Sequence, residues 1–285
     1  MSCGRNFGSI RKETETSILL IISYFVSLSN IKKLSVMAKL NGILKIEGTL
    51  ENLTFYKSAD GHMVRTKGGV SKKRILNDPA FIRTRENGAE FGKSANAGKM
   101  LRMAAGTLVF KAKDAKLSSR LLQMMSKIKN LDTISVRGER NVSEGILTID
   151  GQLALRGFDF NNRAPLQGVL FSPYALDTTT GEVVISDFTP GEQLRFPAGA
   201  THFSMRSAFV NLDFATGLSD VTYSNVISLP IDFTVATQTL TPTGVPVGAG
   251  TQLYLILIEF FQEVNGVSYS LKNGAFNVLN VLDVV

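Results

Sequence analysis

Leu253-Tyr-Leu-Ile-Leu-Ile258 is the stretch on which the fold turns. It is apolar at successive positions. A strand points successive side chains to opposite faces, so this one must be central and covered on both sides. Asn265-Gly266 follows it and is a favoured two-residue hairpin turn, which joins Leu253–Glu263 to a partner over Val267–Leu271. Upstream, short β-prone runs alternate with turn residues at the spacing of a sandwich or barrel. The expected strands are Thr133–Val136, Gly145–Asp150, Gln152–Arg156, Gly168–Leu176, Glu182–Asp187, His202–Phe214, Val221–Leu229, Ile231–Ala236, Thr251–Val264, Val267–Leu271 and Ala275–Leu282. Seven of the eight prolines lie after residue 160, mostly at strand ends, where a missing amide is tolerated.

The preceding residues read differently. Asp60-Gly61 lies between the β-prone runs Leu53–Lys57 and His62–Lys67 and predicts a hairpin. A further strand is expected over Gly42–Leu50. Asp78-Pro79 then starts a helix running to about Ala105, because Asp caps the first amides and Pro suits the first helical position. Arg83, Glu86, Glu90 and Lys93 are expected on its exposed side. Gly88, Gly92 and Ala95 share another face, open to close approach by a neighbour. Gly88, Gly92 and Gly98 each cost about 1 kcal/mol relative to alanine, so this helix should be packed against something. A second helix, about Lys116 to Lys129, places Leu117, Leu121, Met124, Met125 and Ile128 on one apolar face. The fold class that follows is α+β, mostly β: an N-terminal β-hairpin plus two helices, followed by an antiparallel β-sandwich. Two small sandwiches meeting near 190–197 are the alternative.

The 285-residue chain is 44% hydrophobic and 19% charged, with a net charge of +7, which excludes a disordered chain. A single cysteine (Cys3) excludes a disulfide scaffold, and two histidines (His62, His202) leave too few soft ligands for a structural zinc site. The charge is uneven. Residues 1–130 carry 24 Lys+Arg against 9 Asp+Glu, and residues 131–285 carry 7 against 15, balances of +15 and −8 that make up the net +7. The expected organisation is therefore a 1–36 leader, a basic hairpin-plus-helix module over 37–130 and a sandwich over 131–285. Opposite-signed halves suit head-to-tail contact between copies, the geometry from which open assemblies grow.

Within the leader, Ile18–Leu28 is too short for a membrane-spanning helix, which needs roughly 20 apolar residues. Arg5, Arg11 and Lys12 before it resemble a secretory signal, whereas Glu13 and Glu15 do not. Met37-Ala-Lys reads as an alternative start. Localisation stays open at this level: exported if residues 1–36 are a signal, cytoplasmic or particle-associated if the start is Met37.

The candidate contact residues are basic. Lys67, Lys72, Lys73, Arg74, Arg83 and Arg85 fall within nineteen residues and could meet phosphates or an acidic partner. No zinc-finger or helix-turn-helix pattern accompanies them, and no stacking platform. Gly88-Ala-Glu-Phe-Gly92-Lys93-Ser94 imitates a phosphate-binding loop, but it is one residue short between its glycines and falls inside a helix, where the amides are already bonded. His202 is read as a structural histidine rather than a partner of Asp213. Asp150, Asp159, Asp177, Asp187, Asp213 and Asp220 sit at strand ends and turns, where carboxylates cap amides. No catalytic constellation is found, so no enzyme activity and no cofactor are expected. A hydrolase or carbohydrate-active sandwich would need a paired-carboxylate cleft for which the sequence offers no sign.

Met37-Ala-Lys-Leu-Asn-Gly-Ile-Leu44, Gly69-Val-Ser-Lys-Lys-Arg74, Asp78-Pro-Ala-Phe-Ile-Arg-Thr-Arg-Glu-Asn-Gly88, Pro197-Ala-Gly-Ala-Thr-His-Phe203 and Leu271-Lys-Asn-Gly-Ala-Phe-Asn277 resemble a family of uncharacterised bacterial proteins described only as a domain of unknown function. The resemblance covers about Met37 to Leu282 and implies no catalytic residue. The expectation is a non-enzymatic structural or interaction protein that self-assembles or scaffolds, as in a surface or phage-like particle. The alternative is a nucleic-acid-binding protein acting through 67–85.

Overall fold

The computed structural model describes residues 37–39, 46–58, 60–66 and 69–285. The leader reading of residues 1–36, the first part of the Gly42–Leu50 strand and Lys67 lie outside the described residues. The chain divides into two compact units, Met1–Arg74 and Ile75–Val285.

The first unit is an antiparallel sheet of β1 (Met37–Lys39), β2 (Gly48–Leu50), β3 (Leu53–Ser58) and β4 (Gly61–Thr66), in the order β1-β4-β3-β2. The expected hairpin is present: Ser58 and Gly61 are partners across the reversal, and Gly61 takes φ 110°. The register puts Leu50, Leu53, Phe55 and Val64 on one face. At one end of that face Leu50 is 67% and Leu53 40% exposed, whereas Phe55 and Val64 are half-buried. α1 (Lys72–Asn77) spans the division between the units.

The second unit begins with a 3-10 turn, Pro79–Phe81, whose first amides are capped by Asp78: Oδ1 accepts from the Ala80 N–H at 2.9 Å. Six helices follow, namely α2 (Ile82–Ala104), α3 (Thr107–Lys111), α4 (Leu117–Lys129), α5 (Val142–Gly145), α6 (Ile149–Leu155) and α7 (Leu166–Val169). Then come β5 (Ala175–Leu176), β6 (Val183–Phe188), α8 (Pro190–Gln193), β7 (His202–Leu212), β8 (Ser219–Tyr223), β9 (Ile227–Pro230), β10 (Ala236–Leu240), β11 (Thr251–Val264), β12 (Val267–Ser270) and β13 (Val278–Val284). β11 is the expected central strand. It pairs with β7 along Thr251–Phe261 on one side, and with β13 and β12 on the other, in a six-stranded antiparallel sheet.

Alternation along β11 builds two cores. Leu253, Leu255 and Leu257 meet Leu101, Leu108, Leu121, Met125 and Ile128 of the helices, with Ala208 and Val210 of β7. Tyr254, Ile256, Ile258 and Phe260 meet Val183, Ile185, Phe188 and Leu240 of the second, three-stranded sheet β10-β6-β5. The result is α+β and mostly β: two antiparallel sheets pack as a sandwich, and helices cover the outer face of the larger one. α2 and α4 share a core with the sheet, so the compact units divide at Arg74 rather than at the expected boundary near Leu131. No split occurs near 190–197, because β6 and β10 on either side of it are hydrogen-bonded neighbours.

The strands expected over Thr133–Val136, Gly145–Asp150 and Gln152–Arg156 are not strands. The first is irregular and the others lie largely in α5 and α6. Two caps explain this. Asn141 Oδ1 accepts from the Glu144 N–H at 2.8 Å, and Thr148 Oγ1 from the Gly151 N–H at 3.0 Å. Gly168–Leu176 is mostly α7 and coil, with β5 only at its end. The Gly88 and Gly92 face of α2 has open space around it. Gly98 is the glycine that allows close packing, its missing Cβ site lying 3.5 Å from Leu121 Cβ of α4.

Candidate functional site

The basic residues of the 67–85 segment have different surroundings. Lys72, Lys73 and Arg74 belong to the first unit, at the start of α1, where Lys72 and Lys73 are exposed and make no hydrogen bond or ion pair among the described residues. Arg83 and Arg85 belong to the second unit and are already engaged. Arg83 pairs with Glu86 one helical turn on, at 2.9 Å. Arg85 donates to the carbonyls of Ile75 (2.7 Å) and Asp78 (3.0 Å), tying the end of α1 to the start of α2.

The carboxylates of the second unit hold loops. Asp132 is buried and accepts from the Ile134, Ser135 and Asn141 amides at 3.0, 2.8 and 3.0 Å. Although burial opposes its charge, these hydrogen bonds hold its pKa down at about 2. Glu90 is buried rather than exposed as expected from helical spacing, because it pairs with Lys129 of α4 and accepts from the Gly138 amide at 2.7 Å. Asp114 and Arg120 pair at 2.5 Å, and Arg120 also donates to the Asp159 and Phe160 carbonyls. Asp159, accepting from the Leu166 amide and Asn280, has its pKa raised by burial. His202 does not meet Asp213; its Nε2 is 3.4 Å from Glu263 and its Nδ1 3.0 Å from Thr201 Oγ1. Among the described residues no three His, Cys, Asp or Glu side chains gather, and no helix is long and apolar enough to cross a membrane.

One cleft stands apart from these structural contacts. It encloses about 450 Å³ on the small-sheet side of the second unit, where Arg163 and Arg195 border Pro165, Phe196, Pro197 and Phe276. Three chain segments build it and are locked together. Asn161, buried, donates to the Ala275 and Asn277 carbonyls at 3.1 and 2.8 Å. Arg195 N–H donates to Val169 O at 2.8 Å and Phe171 N–H to Gln193 O at 2.9 Å, on either side of a Leu170–Leu194 bridge. Neither guanidinium has a hydrogen bond or ion pair among the described residues, and no carboxylate lines the cleft. Sequence reasoning missed both arginines. The available signal was their isolation: Arg163, Arg195 and Arg206 are the only Lys or Arg between Arg156 and Lys272.

Comparison of the chain with protein-family models, with curated proteins and with solved structures finds no match.

Proposed function

We propose that this chain is a non-enzymatic interaction protein that self-associates head to tail. The observation that carries the reading is a charge polarity across the second unit. Its helical segment, residues 75–130, has eleven Lys+Arg against four Asp+Glu. Lys99, Lys113, Lys116 and Lys127 are exposed there and make no ion pair among the described residues. Residues 164–194 and 231–250, which carry β5, β6 and β10 of the small sheet on the other face of the six-stranded sheet, contain no Lys or Arg. Asp177, Asp187, Glu192 and Asp232 lie in those segments with no ion pair among the described residues. A basic face on one copy complements an acidic face on the next, and a heterologous contact of this kind repeats from copy to copy, into a ring where the rotation closes and an open assembly where it does not.

Light scattering on the full chain tests it. Large particles at low salt that dissolve at high salt support the reading, and a Lys99/Lys113/Lys116/Lys127→Glu variant should abolish them. A parent that is monomeric at both salts overturns it. A second reading, nucleic-acid binding, is favoured by Lys72 and Lys73, exposed and without partners among the described residues. It expects salt-dependent retention of DNA or RNA that a Lys72/Lys73/Arg74→Ala variant loses; unchanged retention removes it.

A further inference from the structure

We infer that the Arg163–Arg195 cleft binds an organic oxyanion, a phosphate or carboxylate carried on an apolar or aromatic body. The surroundings make this pair unusual. Between Arg156 and Lys272 only three residues are Lys or Arg. Arg206 is committed, its Nε donating to Ser224 O at 3.3 Å and its guanidinium lying 4.4 Å from the centre of the Tyr223 ring. The other two line one cleft, 32 positions apart in the chain, within an acidic layer that could have neutralised them and does not. Two guanidinia with no partner among the described residues present planar N–H forks suited to bidentate contact with a phosphate or carboxylate. The remaining walls include Pro165, Pro197 and Phe196, which offer flat apolar surface to the rest of the ligand. The volume, about 450 Å³, is that of a small-molecule site. The backbone is set before any ligand arrives, by Asn161 and by the bonds between 169–171 and 193–195, so ordering the walls adds little to the cost of binding.

The inference is independent of self-association, and the test separates the two. Phenyl phosphate, phenylacetate, inorganic phosphate and benzyl alcohol are titrated into the full chain by calorimetry, with light scattering on the same samples. Saturable binding of phenyl phosphate or phenylacetate, weakened by salt, with benzyl alcohol failing to bind, is the expected result; the relative strength of the two anions tells phosphate from carboxylate ligands. Arg163→Ala/Arg195→Ala should lower the affinity at least tenfold. It should leave the melting temperature unchanged, because neither guanidinium supports the fold. Phe196→Ala should weaken the aromatic anions and leave inorganic phosphate unaffected. A parent that binds none of the anions, or a double variant that binds them as well as the parent, overturns the inference. A double variant that changes particle size while the parent binds no probe also overturns it, and assigns the arginines to a contact between copies.

Discussion

Asp132 has more influence on its surroundings than its position in a coil would suggest. The loop from Leu131 to Asn141 contains Ile134 and Val136 with most of their surface exposed, so apolar burial contributes little to holding it. Asp132 accepts three of its amides and Glu90 accepts a fourth, from Gly138. Asp132→Asn replaces one accepting oxygen by a donor that faces an N–H, and should cost about 1–3 kcal/mol. The pH dependence has a definite sign. The folded pKa, about 2, is below the ordinary value of 3.8, so the contribution is complete above the unfolded pKa and disappears as pH falls through the folded one. Urea titrations should therefore show a parent-to-variant gap that is constant above about pH 4 and closes towards pH 2. A gap independent of pH would place the effect elsewhere. The sequence shows the cap role of such carboxylates in general, but the burial of Glu90 depends on a loop 48 residues away and could not be read from helical spacing.

Between residue and fold, one hairpin is used twice. Asp177-Thr-Thr-Thr-Gly181-Glu182 joins β5 to β6, and Asp213-Phe-Ala-Thr-Gly217-Leu218 joins β7 to β8. In both, the Asp accepts from the amide two residues on at 2.8 Å and from the Thr hydroxyl, the Thr accepts from the amide two further on, and the Gly has φ near +78°, at 77° and 79°. The surroundings differ. A Cβ at Gly181 would sit 2.6 Å from a ring carbon of Phe209, which stacks on Tyr254 at 4.6 Å, whereas at Gly217 it would meet the end of Met100 at 3.0 Å. Both substitutions strain the backbone, at about 1 kcal/mol or more. Gly181→Ala should cost roughly 2 kcal/mol beyond Gly217→Ala, because the stacked ring has less room to move than the Met tip. Equal losses in denaturant titrations would refute that ordering. Long regular elements were legible: β11 by its unbroken apolar run, α2 and α4 by cap and periodicity. The short helices α5 and α6 were not, because runs such as Ile146-Leu-Thr-Ile149 favour β structure. Asn141-Val-Ser-Glu144 nevertheless carries an N-cap pattern with Glu at the third position. Gly145 is there for space, not flexibility: a Cβ would fall 2.1 Å from the Ile128 carbonyl oxygen, so Gly145→Ala should be among the most damaging single substitutions, at about 3 kcal/mol or more.

At the scale of the whole chain, the charge break near residue 130 was readable and the packing break was not, because charge follows the surface while units follow shared cores. The arginine cleft escaped for a related reason: residues 163–169, 195–198 and 276 are far apart in the chain and come together only in the folded unit. The two units also differ in what stabilises them. β11 and β7 lie between two apolar cores, whereas no described side chain of the β1–β4 sheet is buried. A sheet whose apolar face is incompletely covered is weakly held on its own. Hydrogen exchange should therefore separate two tiers. Amides of Leu253–Phe260 should exchange only through global unfolding, and those of β3 and β4 orders of magnitude faster. Self-association adds a condition. If copies associate at low salt through Leu50, Leu53, Phe55 and Val64 as well as through charge, protection in β3 and β4 rises with protein concentration while that of β11 stays fixed. Protection in β3 and β4 that matches β11 in dilute protein would show that the sheet is already covered within one chain. Slow exchange that is independent of concentration would remove it from any contact between copies.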